Sequence, residues 1–159
     1  MLTITGQCHC GNLSSSMTLP AAVGNLTVFG CPCSFCRLQG ASWFGGPGKD
    51  LQLTAELPSQ ATWYVAGQHL PRILLCQHCG VVVAAVTRIG GQWYGVINAK
   101  TAVLPALPQD FLPLRAEPMT EQEREALRQQ TFAVGVHFAG GLQPPELPEE
   151  PAFASAANA

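Results

Sequence analysis

Short stretches of apolar and β-branched residues recur along the chain, and turn formers interrupt them at short intervals. Leu2–Thr5, Asn12–Leu19, Asn25–Phe29, Ser42–Phe44, Leu51–Thr54, Thr62–Val65, Arg72–Leu75, Val81–Arg88 and Trp93–Ile97 are the β-like stretches. Gly45-Gly46-Pro47-Gly48 and Gly90-Gly91 are typical of the breaks between them. Many short strands with regular punctuation predict a mainly β, mainly antiparallel domain. Val81–Val86 lacks alternation, which predicts a strand buried on both faces, although a buried helix has the same pattern. One helix is signalled by Thr120-Glu121-Gln122-Glu123, a capping box in which hydroxyl and carboxylate satisfy free backbone donors. It is expected over Glu121–Gln130, with a thin apolar face (Ala126 and Leu127) that places it on the rim of the sheet. The pattern thus assigns residues 1–135 to one domain. Beyond Gly141 the chain reads LQPPELPEEPAFASAANA, and residues 141–159 are expected to form a disordered Pro/Glu/Ala tail with little apolar area to offset ordering entropy.

Composition adjusts this picture in two ways. The 159 residues suit one core. Hydrophobic residues make up 47% and charged residues only 11%, so the surface is sparsely charged and part of it suits burial in a homodimer. Formal charge is +3 through Ala116 and −5 beyond it, for a net −2. Metal-bound thiolates in the first part would cancel its basicity, so neither nucleic acid nor membrane is expected as a partner. MLTITGQ lacks the basic and long apolar regions of a signal peptide, and no apolar run approaches the ~20 residues needed to span a bilayer. A cytoplasmic, reducing location is the expectation.

Seven cysteines change the picture most. They fall in three clusters: Cys8-His9-Cys10, Cys31-Pro32-Cys33-Ser34-Phe35-Cys36, and Cys76-Gln77-His78-Cys79-Gly80. Closely spaced thiolates on tight turns chelate one metal, and zinc takes four ligands in a tetrahedron. Seven is four plus three, the count for one closed structural site and one catalytic site with a vacant position, the latter open to partial loading. Spacing alone also lets Cys76 and Cys79 join two of the middle three. A disulfide framework conflicts with the odd count and with strained bridges such as Cys8/Cys10. A dithiol centre at Cys76–Cys79 leaves five cysteines unexplained, and an iron–sulfur cluster remains an alternative. His9 and His78 are expected in loops, with metal ligation as the alternative, because the thiolates already supply a full count; His69 and His137 have no cluster near them.

In spacing and order, Gly6-Gln7-Cys8-His9-Cys10-Gly11, Cys31-Pro32-Cys33-Ser34-Phe35-Cys36-Arg37 and Cys76-Gln77-His78-Cys79-Gly80 resemble the glutathione-dependent formaldehyde-activating enzyme family. Gly40-Ala41-Ser42-Trp43 and Val96-Ile97-Asn98-Ala99-Lys100 resemble its shorter branch. The resemblance runs from Leu2 to Leu104, with Pro32 standing where a polar residue is more usual. It implies a zinc-containing β-tent of antiparallel strands, here with one peripheral C-terminal helix. It also implies a carbon–sulfur lyase that joins glutathione to formaldehyde as S-hydroxymethylglutathione. Carried across by position, Cys8, Cys10, Cys76 and Cys79 would hold a structural zinc, and Cys31, Cys33 and Cys36 a catalytic one.

The partners implied are a small thiol, glutathione or similar, and an aldehyde. Arg37, directly after Cys36, is the candidate to grip a glutathione carboxylate through a two-bond fork, with a structural ion pair as the alternative. Lys100 and Asn98 are weaker candidates of the same kind. Trp43 and Phe44 are candidates to wall an aldehyde pocket, against ordinary core packing. Two rival classes stand beside the enzyme. A non-enzymatic zinc module would bind a thiol or a protein. A reductase would need a reactive cysteine outside the two metal sets, and none is left.

Overall fold

The computed structural model describes residues 1–21, 24–46, 48–67, 70–105, 109–114 and 118–148. Every predicted stretch forms a strand: β1 (Leu2–Gln7), β2 (Leu13–Leu19), β3 (Leu26–Gly30), β4 (Trp43–Phe44), β5 (Lys49–Ala55), β6 (Ala61–Val65), β7 (Arg72–Cys76), β8 (Val82–Ile89) and β9 (Gln92–Asn98). Three more were not expected: β10 (Ala102–Val103), β11 (Gln109–Pro113) and β12 (Ala133–Ala139). The strands form one sheet in the order β10-β1-β2-β5-β12-β9-β4-β3-β11, with β6-β7-β8 joined through β8 to β9. Pairing is antiparallel except for β12 on β5 and β11 on β3. The fold is therefore mainly β, as expected.

The sheet divides at β9. One edge carries β8, while the other carries first β12 and then β4. Gly95 sits at the β12 crossing, where a Cβ would lie 2.7 Å from Leu51 and 3.0 Å from Val136, so any side chain there would force these buried neighbours to shift. β2 and β5 alternate, with Leu13, Met17, Leu51 and Leu53 fully buried. β8 is buried from Val82 through Thr87, which resolves the ambiguous run as a strand covered on both faces. Two apolar clusters result. One contains Cys8 and Cys76, and the other surrounds Cys36 with Phe29, Trp43, Ile73, Val96 and Phe132.

Among the described residues, two α-helices accompany the sheet. α1 (Ser34–Gln39) is a short helix the sequence pattern did not signal. α2 (Glu121–Thr131) has the predicted capping box, with Thr120 Oγ1 accepting from Glu123 N and Glu123 Oε2 accepting from Thr120 N. Its inner face differs from the expected one: Ala126 is exposed, while Leu127 is half-buried and Arg128 is buried.

The C-terminal boundary requires correction. β12 runs past residue 135 and lies between β5 and β9, so the sheet needs it. The following segment, expected to be disordered, packs on the domain through Pro148. Leu142 is 5% exposed and joins the core, and Pro145 is buried. Trp63 Nε1 donates to Gln143 O at 2.9 Å, and Arg72 Nε donates to Glu146 O at 3.1 Å. Proline removes a donor but keeps its carbonyl, so a proline-rich segment can still dock as an acceptor. The remainder of the expected tail, residues 149–159, lies outside the described residues.

Candidate metal centres and cavity

Two hairpin turns bring the first four cysteines together. After β1, Cys8 N donates to Leu13 O and Gly11 N to Cys8 O, with Gly11 at φ +81°. After β7, Cys76 N donates to Val81 O and Gly80 N to Cys76 O, with Gly80 at φ +76°. Each turn ends on a glycine in the left-handed region, where a Cβ would be strained. The sulfurs of Cys8, Cys10, Cys76 and Cys79 all lie within 4.8 Å of one another. Cys8–Cys10 and Cys10–Cys76 are each separated by 3.6 Å. A tetrahedron with metal–sulfur bonds near 2.3 Å has edges of about 3.8 Å, so this spacing fits a four-sulfur metal site and is far too long for disulfides. Leu13 N adds a hydrogen bond to Cys8 Sγ at 3.2 Å.

The other three cysteines gather where β3 passes into α1. Cys33 is the helix cap, its sulfur accepting from Cys36 N at 3.4 Å, and one helical turn carries Cys36 back beside it. The sulfurs of Cys31, Cys33 and Cys36 also lie within 4.8 Å of one another. Phe35 stacks on Tyr64 of β6 with ring centroids 4.6 Å apart, which anchors α1. Trp43 Nε1 donates to Cys36 Sγ at 3.4 Å in a buried contact. The seven sulfurs thus fall into a group of four and a group of three that share no residue, and each group could hold a metal ion.

The sulfurs of the bare chain ionise unevenly. Burial pushes Cys8 up to about 12. Burial also opposes ionisation of Cys79, but backbone donors at Cys10 and Val81 outweigh it and bring the thiol down to about 6. In the second group, a hydrogen bond from the Cys36 thiol brings Cys31 down to about 5. That shared proton, followed by burial, pushes Cys36 up. Without a cation, neither group can carry all its sulfurs as thiolates, and a bound cation removes that penalty.

The second group opens onto a cavity. Cys31, Cys33 and Cys36 line a space of about 430 Å³, while none of the other four cysteines does. Phe29, Trp43, Ile73 and Phe132 contribute apolar wall, and Arg124 and Arg128 line it from α2.

The candidates named from sequence divide. Trp43 both lines the cavity and packs in the core, whereas Phe44 is fully buried and does not line the cavity. Asn98 is a buried brace: its Nδ2 donates to Val82 O at 2.9 Å, and its Oδ1 accepts from Ser42 N and Lys100 N. Arg37 and Lys100 are exposed and lie outside the cavity lining. Arg124 and Arg128 were missed, although their spacing of four on a signalled helix puts them on one face.

The family model described as glutathione-dependent formaldehyde-activating enzyme matches residues 3–113. The chain belongs to that family. The match includes all seven cysteines and stops before α2. A solved structure of a Rhodobacter sphaeroides protein is similar at 23% identity and a TM-score of 0.46, covering 67% of this chain and 99% of that one. No curated protein matches the chain. Among the described residues, no helix is long and apolar enough to cross a membrane.

Proposed function

We propose that this member of the glutathione-dependent formaldehyde-activating family is a zinc-dependent carbon–sulfur lyase that forms or cleaves thiol–aldehyde adducts. Glutathione and formaldehyde are the first pair to test. Cys8, Cys10, Cys76 and Cys79 are assigned a structural zinc, and Cys31, Cys33 and Cys36 a catalytic one. The observation that carries this reading is that the three-sulfur group alone opens onto the cavity. Four ligands close a tetrahedron, whereas three leave one position for a substrate.

Cys31, Cys33 and Cys36 would hold the zinc, which when bound would supply a Lewis acid that lowers the pKa of a substrate thiol. The chain provides the rest. Trp43 fixes the Cys36 sulfur through its indole N–H and forms wall of the same cavity. The apolar wall limits water, so sulfur and aldehyde carbon are held together instead of diffusing apart. The sulfur–carbon bond forms as the carbonyl π pair moves to oxygen, and that oxygen gains the proton the thiol lost. Reversal returns thiol and aldehyde.

Elemental analysis of the reduced chain should give two zincs per chain at full loading, the four-sulfur site releasing its metal last. Exchange between formaldehyde and glutathione, followed by NMR, should be faster with the protein than without it. Iron in place of zinc, or exchange at the uncatalysed rate with several thiols and aldehydes, would reject the proposal.

A further inference from the structure

α2 supplies Arg124, Leu127, Arg128 and Thr131 to the wall of the cavity that holds Cys31, Cys33 and Cys36. Arg128 is only 9% exposed; burial works most against its charge and the neighbouring Arg124 adds to this, while Glu121 and Glu125 on the same helix act in its favour. Arg124 Nη2 donates to Met119 O at 2.8 Å, which uses one of the five guanidinium N–H groups, and its Nη1 lies 4.0 Å from Glu121 Oε2. Among the described residues, no Asp or Glu lines this cavity. Of the described residues, a ligand entering it meets two guanidinium groups, three sulfurs and otherwise mostly apolar wall. A carboxylate there gains charge-assisted hydrogen bonds in surroundings that strengthen them, whereas an ammonium meets like charge.

α2 is also held in place. Gly46 N donates to Thr131 O at 2.6 Å, and a Cβ at Gly45 would lie 2.6 Å from that same oxygen. The helix is thus seated on the Gly45-Gly46 turn, with Phe132 buried beyond it. The family match ends at residue 113, so this wall comes from a part of the chain beyond the match.

We propose that Arg124 and Arg128 form a carboxylate subsite of the cavity, through which the protein selects carboxylate-bearing thiols and thiol–aldehyde adducts over neutral or cationic ones. The inference rests on the three-sulfur group being the thiol site, but its test separates the two. The full-length zinc-loaded protein is titrated calorimetrically with 3-mercaptopropionate, with cysteamine, and with S-methylglutathione and its diethyl ester. S-methylglutathione has no free thiol, so it reports the carboxylate subsite alone. Wild type should prefer 3-mercaptopropionate to cysteamine, and S-methylglutathione to its ester, by about tenfold or more. Arg124→Gln should remove most of both preferences. Arg128→Lys keeps the buried charge but loses the fork, and should reduce them about threefold or more. Equal binding of acid and ester by wild type, or preferences unchanged in both variants, overturns the subsite. If acid–ester discrimination is present and lost in the variants, while thiols leave the absorption of cobalt-loaded protein unchanged, the subsite stands and the lyase reading falls.

Discussion

Cys36 illustrates how one side chain is defined by its neighbours. Its sulfur accepts the indole N–H of Trp43 at 3.4 Å and shares a proton with Cys31. Trp43→Phe keeps an aromatic ring but removes the donor, and should cost ~1–3 kcal/mol from lost bond and volume. Denaturant unfolding measures this cost. The cobalt-loaded variant should also show shifted sulfur-to-metal charge-transfer bands, whereas unchanged bands would mean that the contact does not tune the sulfur. Arg37 gives the opposite expectation. It is exposed and away from the cavity lining, so Arg37→Ala should alter stability by no more than ~0.5 kcal/mol. A loss of glutathione affinity as large as that of Arg124→Gln would instead restore Arg37 as the carboxylate-gripping residue.

At the scale of elements, turns hold the sulfurs and α2 lines one side of the cavity. The two hairpin turns that carry Cys8, Cys10, Cys76 and Cys79 join β1–β2 to β7–β8, which are distant in sequence. A metal there would contribute directly to folding, whereas the group beside α1 lines the cavity. Cys79→Ser should therefore lower the melting temperature far more than Cys36→Ser, which should remain folded with less zinc and little activity. Equal, large losses in both would show that the two sites do not divide structure from function. Metal uptake should also weaken from about pH 8 to about pH 6. Burial pushes Cys8 up to about 12, and Cys36 is raised as well, so both keep protons that the metal must displace. Competition with a chromogenic chelator across that range measures the slope, and a flat profile would contradict proton release.

Across the whole molecule, the chain after α2 completes the sheet and then braces its outside. β12 lies between β5 and β9, and Leu142 fills the core beyond it. The carbonyls of Gln143 and Glu146 occupy donors from Trp63 and Arg72, and Arg72 is itself only 6% exposed. Leu142→Ala should cost ~2–4 kcal/mol by cavity formation. Truncation after Gly141 should cost at least as much, because it also leaves a buried guanidinium short of an acceptor. Melting curves decide the point, and an unchanged midpoint on truncation would show that the segment contributes nothing to stability.

Local chemistry determined much of this before any fold was known. Alternation and punctuation marked nine strands, since a half-buried strand must repeat every two residues. Thr120 and Glu123 marked the start of α2, since capping acts over three residues. Cysteine spacing marked the clusters that could hold metal, since chelation by adjacent thiolates is local. The tertiary structure decided whatever depends on distant partners. Gly135 interrupts the apolar pattern of β12, whose strand character comes from β5 and β9. The docking of residues 142–148 depends on donors at Trp63 and Arg72, which a proline-rich composition does not reveal. One wall of the cavity, too, comes from α2, which is distant in sequence from the second sulfur group. Its arginines were visible as charges in the sequence, but only packing brings them to the same space as Cys31, Cys33 and Cys36.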